Sequence, residues 1–154
     1  MKELVLVKLG GSLITNKSKP YVANLAAIRR LVEEIKFCWE KGYRFVISHG
    51  SGSFGHTSAA KHKTAEGITN KEDVCGMGVV QQDAIAINRI VSKIFLKESL
   101  PVLSFIPSSF AFADDKKLEE IFSLPRRKCV VEPVKDFING RRGVICEKCL
   151  PGVR

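Results

Sequence analysis

The most informative stretch of the sequence is Ile47-Ser48-His49-Gly50-Ser51-Gly52-Ser53-Phe54-Gly55-His56, because a strand-like run that begins at Arg44 ends there in glycine, serine and histidine. After a buried strand, glycine lets the backbone approach a ligand closely, and exposed N–H groups bind anions. A second apolar run, residues 4–7, ends in the same way in Lys8-Leu9-Gly10-Gly11-Ser12. We interpret the two loops together as a site for two phosphate groups. The alternative is a pair of tight turns whose polar residues are purely structural.

The composition is that of one globular domain with a hydrophobic core. Of the 154 residues, 45% are hydrophobic and 27% are charged, and no apolar run reaches the roughly 20 residues that cross a bilayer. Met1-Lys2-Glu3 leads directly into a strand-like run, so we expect no signal peptide, no membrane partner and a cytoplasmic location. We interpret the five cysteines as reduced thiols. Cys146 and Cys149 have the spacing of only half a zinc site, and no metal is assigned to them.

The net charge of +9 indicates anionic partners. Phosphorylated metabolites, nucleic acid and a membrane surface all carry the required charge, and an ordinary solvated basic face is the alternative. Aromatic residues make up 8% of the chain and are not interleaved with arginine as in a base-stacking platform. Nucleic acid is therefore the least supported of these partners.

Strand-like and helix-like segments alternate along the chain, which favours an α/β fold with a mainly parallel sheet flanked by helices. Residues 4–7 read as a buried parallel strand. Residues 25–39 have helical apolar spacing, with Asn24 as N-cap and Gly42 as the stop. The remaining predictions are strands over 44–47, 101–106 and 143–146 and helices over 58–63, 79–97, 116–122 and 134–138. In parallel sheets, ligands bind at the carboxyl ends of strands, where both glycine loops lie.

Phosphoryl transfer depends on charge neutralisation and alignment more than on covalent chemistry. We expect Lys8, at a strand end, to bridge the transferring phosphoryl group and His56 to donate a hydrogen bond to a phosphate oxygen. Lys17 and Lys19, in the connector that follows, would form a cationic lid. His49 would support the loop backbone. The glycine spacing matches neither the Walker P-loop nor the Rossmann fingerprint.

Val7-Lys8-Leu9-Gly10-Gly11-Ser12, Lys17, the decapeptide quoted first and Pro107-Ser108-Ser109 occur in this order, and together they resemble the amino acid kinase superfamily. The ending Ser53-Phe54-Gly55-His56 is most similar to the isopentenyl phosphate kinase family within it. The resemblance covers residues 4–110 and weakens beyond. It implies the N-terminal half of a three-layer α/β fold and, with ATP and Mg²⁺ as cofactors, phosphorylation of isopentenyl phosphate to isopentenyl diphosphate.

The resemblance also assigns residues. The ATP phosphates would contact Lys8, Leu9, Gly10, Gly11, Ser12 and Gly52. The acceptor phosphate would contact Ser51 and His56. Lys8 and His56 would stabilise the transition state with help from Lys17, and Val80 and Ala84 would line the isoprenoid tail. Ser51 departs from the family, which has glycine there, and would be strained if the position needed a positive φ.

Family members are longer than this chain, and their second half carries the nucleotide base site. We therefore expect residues 1–154 to form a partial, acceptor-phosphate domain without the nucleotide-binding half. A homodimer or a second chain would then complete the fold, and the isolated chain would lack turnover. Three alternatives stay open: a fosfomycin-type kinase, a glutamate 5-kinase and a non-catalytic module that binds a phosphorylated ligand.

Overall fold

The computed structural model describes residues 3–68, 70–107, 111–114, 117–121 and 143–147. Strands and helices alternate over most of this length. In chain order they are β1 (Leu4–Leu9), α1 (Gly11–Ile14), α2 (Leu25–Glu40), β2 (Arg44–His49), α3 (Gly52–Lys61), a 3₁₀ turn (Thr64–Glu66), α4 (Lys71–Lys97), β3 (Val102–Phe105), β4 (Ala111–Asp114), β5 (Lys117–Ile121) and β6 (Gly143–Glu147).

Four of these strands form a parallel sheet in the order β1-β2-β6-β3. The predicted α/β fold with a mainly parallel sheet is therefore confirmed, and so is the predicted last strand, which lies between β2 and β3. Leu9 pairs with His49 in the register of β1 and β2. Because these residues end their strands, the two glycine segments, residues 10–12 and residues 50–56, leave the sheet side by side.

Helices α2 and α4 pack on one face of the sheet. The core joins the inward-facing residues of the first two strands to the apolar faces of both helices; it includes Leu9, Phe45, Ile47, Ile28, Val32, Ile87 and Val91. On the opposite face of β1, Leu4 is exposed and Leu6 is 75% exposed. The prediction that β1 is a buried strand is thus wrong for one of its faces. An apolar run predicts burial on both faces of a strand, but it does not reveal on which face the core packs, and the described core lies on one face of β1.

Helix α2 begins and ends where its sequence predicts. The Asn24 side chain accepts a hydrogen bond from the Ala27 N–H at 3.2 Å, as an N-cap does. Gly42 follows the last turn with φ +88°, and its N–H donates to the Trp39 carbonyl at 2.8 Å. Both predicted boundary residues are confirmed.

Helix α4 begins at Lys71, well before the predicted position 79. A capping box sets this start: the Asp73 N–H donates to Asn70 Oδ1 at 2.9 Å, and the Asn70 N–H donates to Asp73 Oδ2 at 3.1 Å. Gly76 and Gly78 weaken the helical pattern of this first part, which is why the spacing alone placed the start too late. At 27 residues, α4 is the longest described helix, yet no described helix is apolar enough along its length to cross a membrane.

Two further predictions are wrong. Helix α3 begins at Gly52 rather than at 58, so most of the glycine-serine segment, residues 50–56, is helical. Residues 117–121 form strand β5, antiparallel to β4, where a helix was predicted over 116–122. Leu118 and Ile121 have helical spacing, but pairing with β4 overrides this weak local preference. The helix predicted over 134–138 lies outside the described residues.

Candidate functional site

The two glycine segments pack backbone against backbone at the ends of β1 and β2. The Gly50 N–H donates to the Leu9 carbonyl at 3.2 Å. A Cβ atom at Gly11 would lie 2.7 Å from both the Cα and the N of Gly52. Since real Cβ atoms do not approach backbone so closely, glycine at 11 is what allows the start of α1 to lie against the start of α3.

Thr15 ties these two helix starts together, and sequence reasoning missed it. The side chain is buried, and its hydroxyl donates to the Gly11 carbonyl at 2.7 Å. The same hydroxyl accepts from the Ser53 N–H at 3.0 Å, across 38 residues of sequence. The only local signal was a threonine four residues after Gly11, a spacing at which a hydroxyl can bond back to the backbone.

The N-terminus of α3 has backbone donors available for an anion. The Ser53 N–H is used by Thr15, and the Phe54 N–H donates to the Ser51 carbonyl at 3.2 Å. Among the described residues, the N–H groups of Ser51 and Gly52 make no hydrogen bond. Unpaired N–H groups and the helix dipole together attract negative charge to this end.

Ser51 fits its position without strain. Its φ is −75°, so the departure from the family's glycine does not require the left-handed region. A Cβ at Gly55 would lie 2.7 Å from the Ser51 Cβ. The serine side chain therefore occupies space that a larger residue at 55 would need.

An open cleft of about 440 Å³ lies between the connector that follows α1 and the first turns of α3. Its lining residues are Ser12, Thr15, Lys17, Ser18, Pro20, Gly52, Ser53, His56 and Thr57. His56 is exposed on α3, and Lys17 comes from the connector. Because this lining contains two basic side chains, several hydroxyls and no acidic group, the cleft suits a small anion.

The connector is a small hairpin whose base is fixed by backbone bonds. Thr15 and Ala23 form an antiparallel bridge, and the Asn16 N–H donates to the Val22 carbonyl at 2.8 Å. Within the turn, the Ser18 N–H donates to Asn16 Oδ1 at 2.8 Å. This base carries Lys17 to the cleft, whereas Lys19 is exposed and is not part of the lining.

Tyr21 braces the outer side of the connector. It adopts φ +58°, and its ring meets the Phe54 ring edge to face, with 5.7 Å between centroids. Desolvation, a hydrogen bond to Asp83 and the negative charge of Asp83 raise the pKa of Tyr21 above its ordinary value. The ring contact holds the connector against α3, and neither Tyr21 nor Asp83 was singled out from sequence.

Four of the site residues suggested by sequence, Ser12, Lys17, Gly52 and His56, lie together in the cleft lining. The others lie outside it. Lys8 is exposed near the end of β1, Leu9 is buried in the core, and Gly10, Gly11 and Ser51 adjoin lining residues along the chain without being part of the lining. Their assignments to ATP and to the acceptor phosphate stay predictions.

The two residues assigned to the isoprenoid tail do not reach the described cleft. Ala84 is 1% exposed and packs in the interior, and Val80, one turn earlier on α4, is half-buried. Neither belongs to the cleft lining. A tail-binding role for them stays a prediction.

His49 supports the loop backbone, as its position at the strand end predicted. It is 1% exposed, and its Nδ1 lies 3.1 Å from the Gly50 carbonyl oxygen. Its Nε2 lies 2.9 Å from Asn88 Nδ2 on α4. Burial lowers the pKa of His49, and the bond to Gly50 opposes this in part. Asn88 is a further buried polar residue that the sequence did not reveal.

Residues 3–144 match the amino acid kinase family. This chain belongs to the amino acid kinase family. Isopentenyl phosphate kinase of Methanocaldococcus jannaschii is 31% identical over 123 residues, which are 73% of this chain and 46% of that protein. Carbamate kinase 2 of Staphylococcus aureus is 31% identical over 100 residues, 60% of this chain and 32% of that protein.

The structural comparison agrees with this family. The crystal structure of the T. acidophilum isopentenyl phosphate kinase product complex superposes with a TM-score of 0.70 at 22% identity, over 94% of this chain and 54% of that chain. An identity this low shows a shared fold. The superposition confirms the predicted fold type. The chain spans about half the length of the relatives it matches.

Proposed function

We propose that this amino acid kinase chain carries the acceptor-phosphate part of a phosphotransferase that transfers a phosphoryl group from ATP to isopentenyl phosphate, giving isopentenyl diphosphate. The observation that carries the proposal is the cleft of about 440 Å³ lined by both Lys17 and His56 at the start of α3. Similarity to isopentenyl phosphate kinases in sequence and in fold supports this choice of acceptor.

The proposed chemistry matches the charge of the cleft. An acceptor phosphate is already ionised near neutral pH, so it needs no general base to become a nucleophile. The described cleft lining has no carboxylate that could serve as one. His56 would donate a hydrogen bond to the acceptor phosphate, and the N–H groups of Ser51 and Gly52, which make no hydrogen bond within the described part of the chain, would add two more. Lys17 would offset charge that builds up as the two phosphates approach.

The donor side of the reaction needs ATP and magnesium. Lys8 and the backbone of residues 9–12, with Gly52, would contact the ATP phosphates. The cleft lining offers hydroxyl groups but no acidic ligand for a hard cation. Magnesium would therefore arrive bound to the ATP phosphates, as it commonly does at sites with few protein ligands. Its contribution is charge neutralisation; the chain's own residues bind and align the acceptor.

Alignment of donor and acceptor accounts for much of the rate of such reactions. The aligned segment covers 46% of the M. jannaschii relative. We assign acceptor binding to this chain and assign turnover to an assembly that also contains the remainder of the family fold, supplied by a second chain or by further sequence.

A panel of acceptors tests the proposal. Calorimetric titrations of the 154-residue chain with isopentenyl phosphate, isopentenol, glutamate and fosfomycin separate the alternatives, because only the first combines a phosphate with an isoprenoid tail. Saturable binding of isopentenyl phosphate, with none of isopentenol, is the expected result. Binding of glutamate or fosfomycin in preference would replace the proposal with another kinase of the same family.

A further inference from the structure

A series of three hydrogen bonds, centred on buried His49 and Asn88, connects Gly50 to helix α4 and strand β3. His49 contacts the Gly50 carbonyl oxygen through Nδ1 at 3.1 Å and Asn88 Nδ2 through Nε2 at 2.9 Å. The Ser104 hydroxyl donates to Asn88 Oδ1 at 2.6 Å. His49 and Asn88 are both buried. These hydrogen bonds therefore link Gly50, directly after β2, to helix α4 and strand β3.

The chemistry of the partners determines where the imidazole proton lies. A carbonyl oxygen can only accept, so His49 Nδ1 must carry the proton that it donates to Gly50. In the neutral ring, Nε2 is then an acceptor, and Asn88 must present its NH₂ group to it. The Asn88 carbonyl oxygen is left facing Ser104, where it receives the hydroxyl proton. Each donor in this series of hydrogen bonds thus faces an acceptor.

The hydrogen bond to the Gly50 carbonyl also fixes the direction of the Ser51 N–H, which belongs to the same peptide unit. The structure contains no cis peptide bond among its described residues, and in a trans peptide the C=O and N–H groups point in opposite directions. Because His49 holds the Gly50 carbonyl towards the core, the Ser51 N–H points out of the core at the start of α3. That N–H makes no hydrogen bond to any described residue.

We propose that His49 is a positioning residue that orients the Gly50–Ser51 peptide, so that the Ser51 N–H is presented to the bound phosphate. Rotation of this peptide by half a turn would present the Gly50 carbonyl oxygen instead, and two negative groups would then face each other. The buried histidine thus keeps the donor in place before the anion arrives. This inference rests on the proposed phosphate site and deepens it.

Two substitutions separate the two ends of the imidazole. In His49→Asn, the amide nitrogen is attached to Cγ, as Nδ1 is in histidine, so a donor to Gly50 can be kept while the contact to Asn88 is lost. In His49→Gln, the amide lies one bond further out and can reach Asn88, but no donor remains at the δ position. Both variants replace the ring by a smaller polar group, so each serves as the structural control for the other.

The readout is the backbone amide of Ser51 in ¹⁵N–¹H NMR spectra during titration with inorganic phosphate. The wild type and His49→Asn should bind phosphate with similar affinity and shift the Ser51 signal. His49→Gln should bind about tenfold more weakly, as expected for the loss of one hydrogen bond to a charged group. Equal losses in both variants would reduce His49 to a packing role and overturn the inference.

The tautomer gives a second measurement that needs no variant. ¹⁵N spectra of the histidine-labelled wild-type chain should show the His49 proton on Nδ1, and a proton on Nε2 would overturn the inference. Isopentenyl phosphate then distinguishes this inference from the proposed function. If the phosphate titration gives the expected split but isopentenyl phosphate does not bind, the inference stands and the function fails. If isopentenyl phosphate binds without any shift at Ser51, the function stands and the inference fails.

Discussion

Replacing Gly52 by alanine should destabilise the fold more than a Gly→Ala substitution at an open position, because both backbone strain and steric overlap arise at this residue. Gly52 has φ +53°, which strains an alanine by about 1 kcal/mol. The new Cβ would also lie 2.6 Å from the Gly11 carbonyl oxygen and 2.8 Å from Thr15 Cγ2, and it would overlap the Thr15 hydroxyl. The neighbouring backbone must therefore move apart.

The size of the effect follows from these two costs. Overlap in a well-packed region costs about 1–3 kcal/mol, so Gly52→Ala should lower the free energy of unfolding by about 2–4 kcal/mol in total. Gly42→Ala is the matched control: its φ is +88°, but a Cβ there has no neighbour within 4 Å. It should lose only the strain, about 1 kcal/mol.

Urea unfolding followed by circular dichroism measures both variants against the wild type. Gly10→Ala provides a baseline, since Gly10 has φ −60° and a Cβ there would meet nothing within 4 Å; its stability should stay within about 0.5 kcal/mol of the wild type. If Gly52→Ala is no less stable than Gly42→Ala, the close approach of the two glycine segments is not part of the folded structure.

Three other predictions concern features further from the cleft. Asn70→Ala removes the capping box of α4 and should cost about 1 kcal/mol in urea unfolding; an unchanged midpoint would contradict a start at Lys71. Burial lowers the pKa of His49 from its ordinary 6.5, so the unfolded chain takes up the proton first as the pH falls. Stability should be constant above about pH 7.5 and should fall below 6.5 by up to about 1.4 kcal/mol per pH unit. This pH-dependent loss of stability should be missing in His49→Gln, and parallel stability profiles for the wild type and the variant would refute the prediction. Tyr21→Phe and Asp83→Asn should each cost at most about 1 kcal/mol, and the double variant should cost less than their sum; additive losses would mean that the hydroxyl and the carboxylate do not interact.

The local elements nearest the site could be predicted from sequence because their signals are local. Asn24 and Gly42 mark the ends of α2 through their own backbone preferences. The two glycine segments follow apolar runs, and parallel strands bring such ends to one edge of a sheet. These signals predicted that the two glycine segments meet, the connector suggested Lys17 as a lid, and the family resemblance added Gly52; Lys17, Gly52 and His56 all line the described cleft, while their roles stay predictions.

The rest depends on contacts between distant residues. Thr15 acts through the Ser53 N–H, 38 residues away, and nothing in its own neighbourhood indicates that partner. The position of β6 between β2 and β3 is a matter of sheet order, which periodicity does not encode. The glycine-serine segment looked like a loop because its residues disfavour helices, yet α3 begins at Gly52, packed against α4 and tied to Thr15.

In the proposed site, the acceptor phosphate binds in the cleft through His56. Calorimetric titration of isopentenyl phosphate into the wild type, His56→Ala and His62→Ala tests this assignment. His62 caps the other end of the same helix and lies outside the cleft lining, so it controls for loss of a histidine. The affinity for isopentenyl phosphate should be at least about tenfold weaker in His56→Ala and unchanged in His62→Ala. Equal affinity in the wild type and His56→Ala would contradict the assignment of this cleft to the acceptor phosphate.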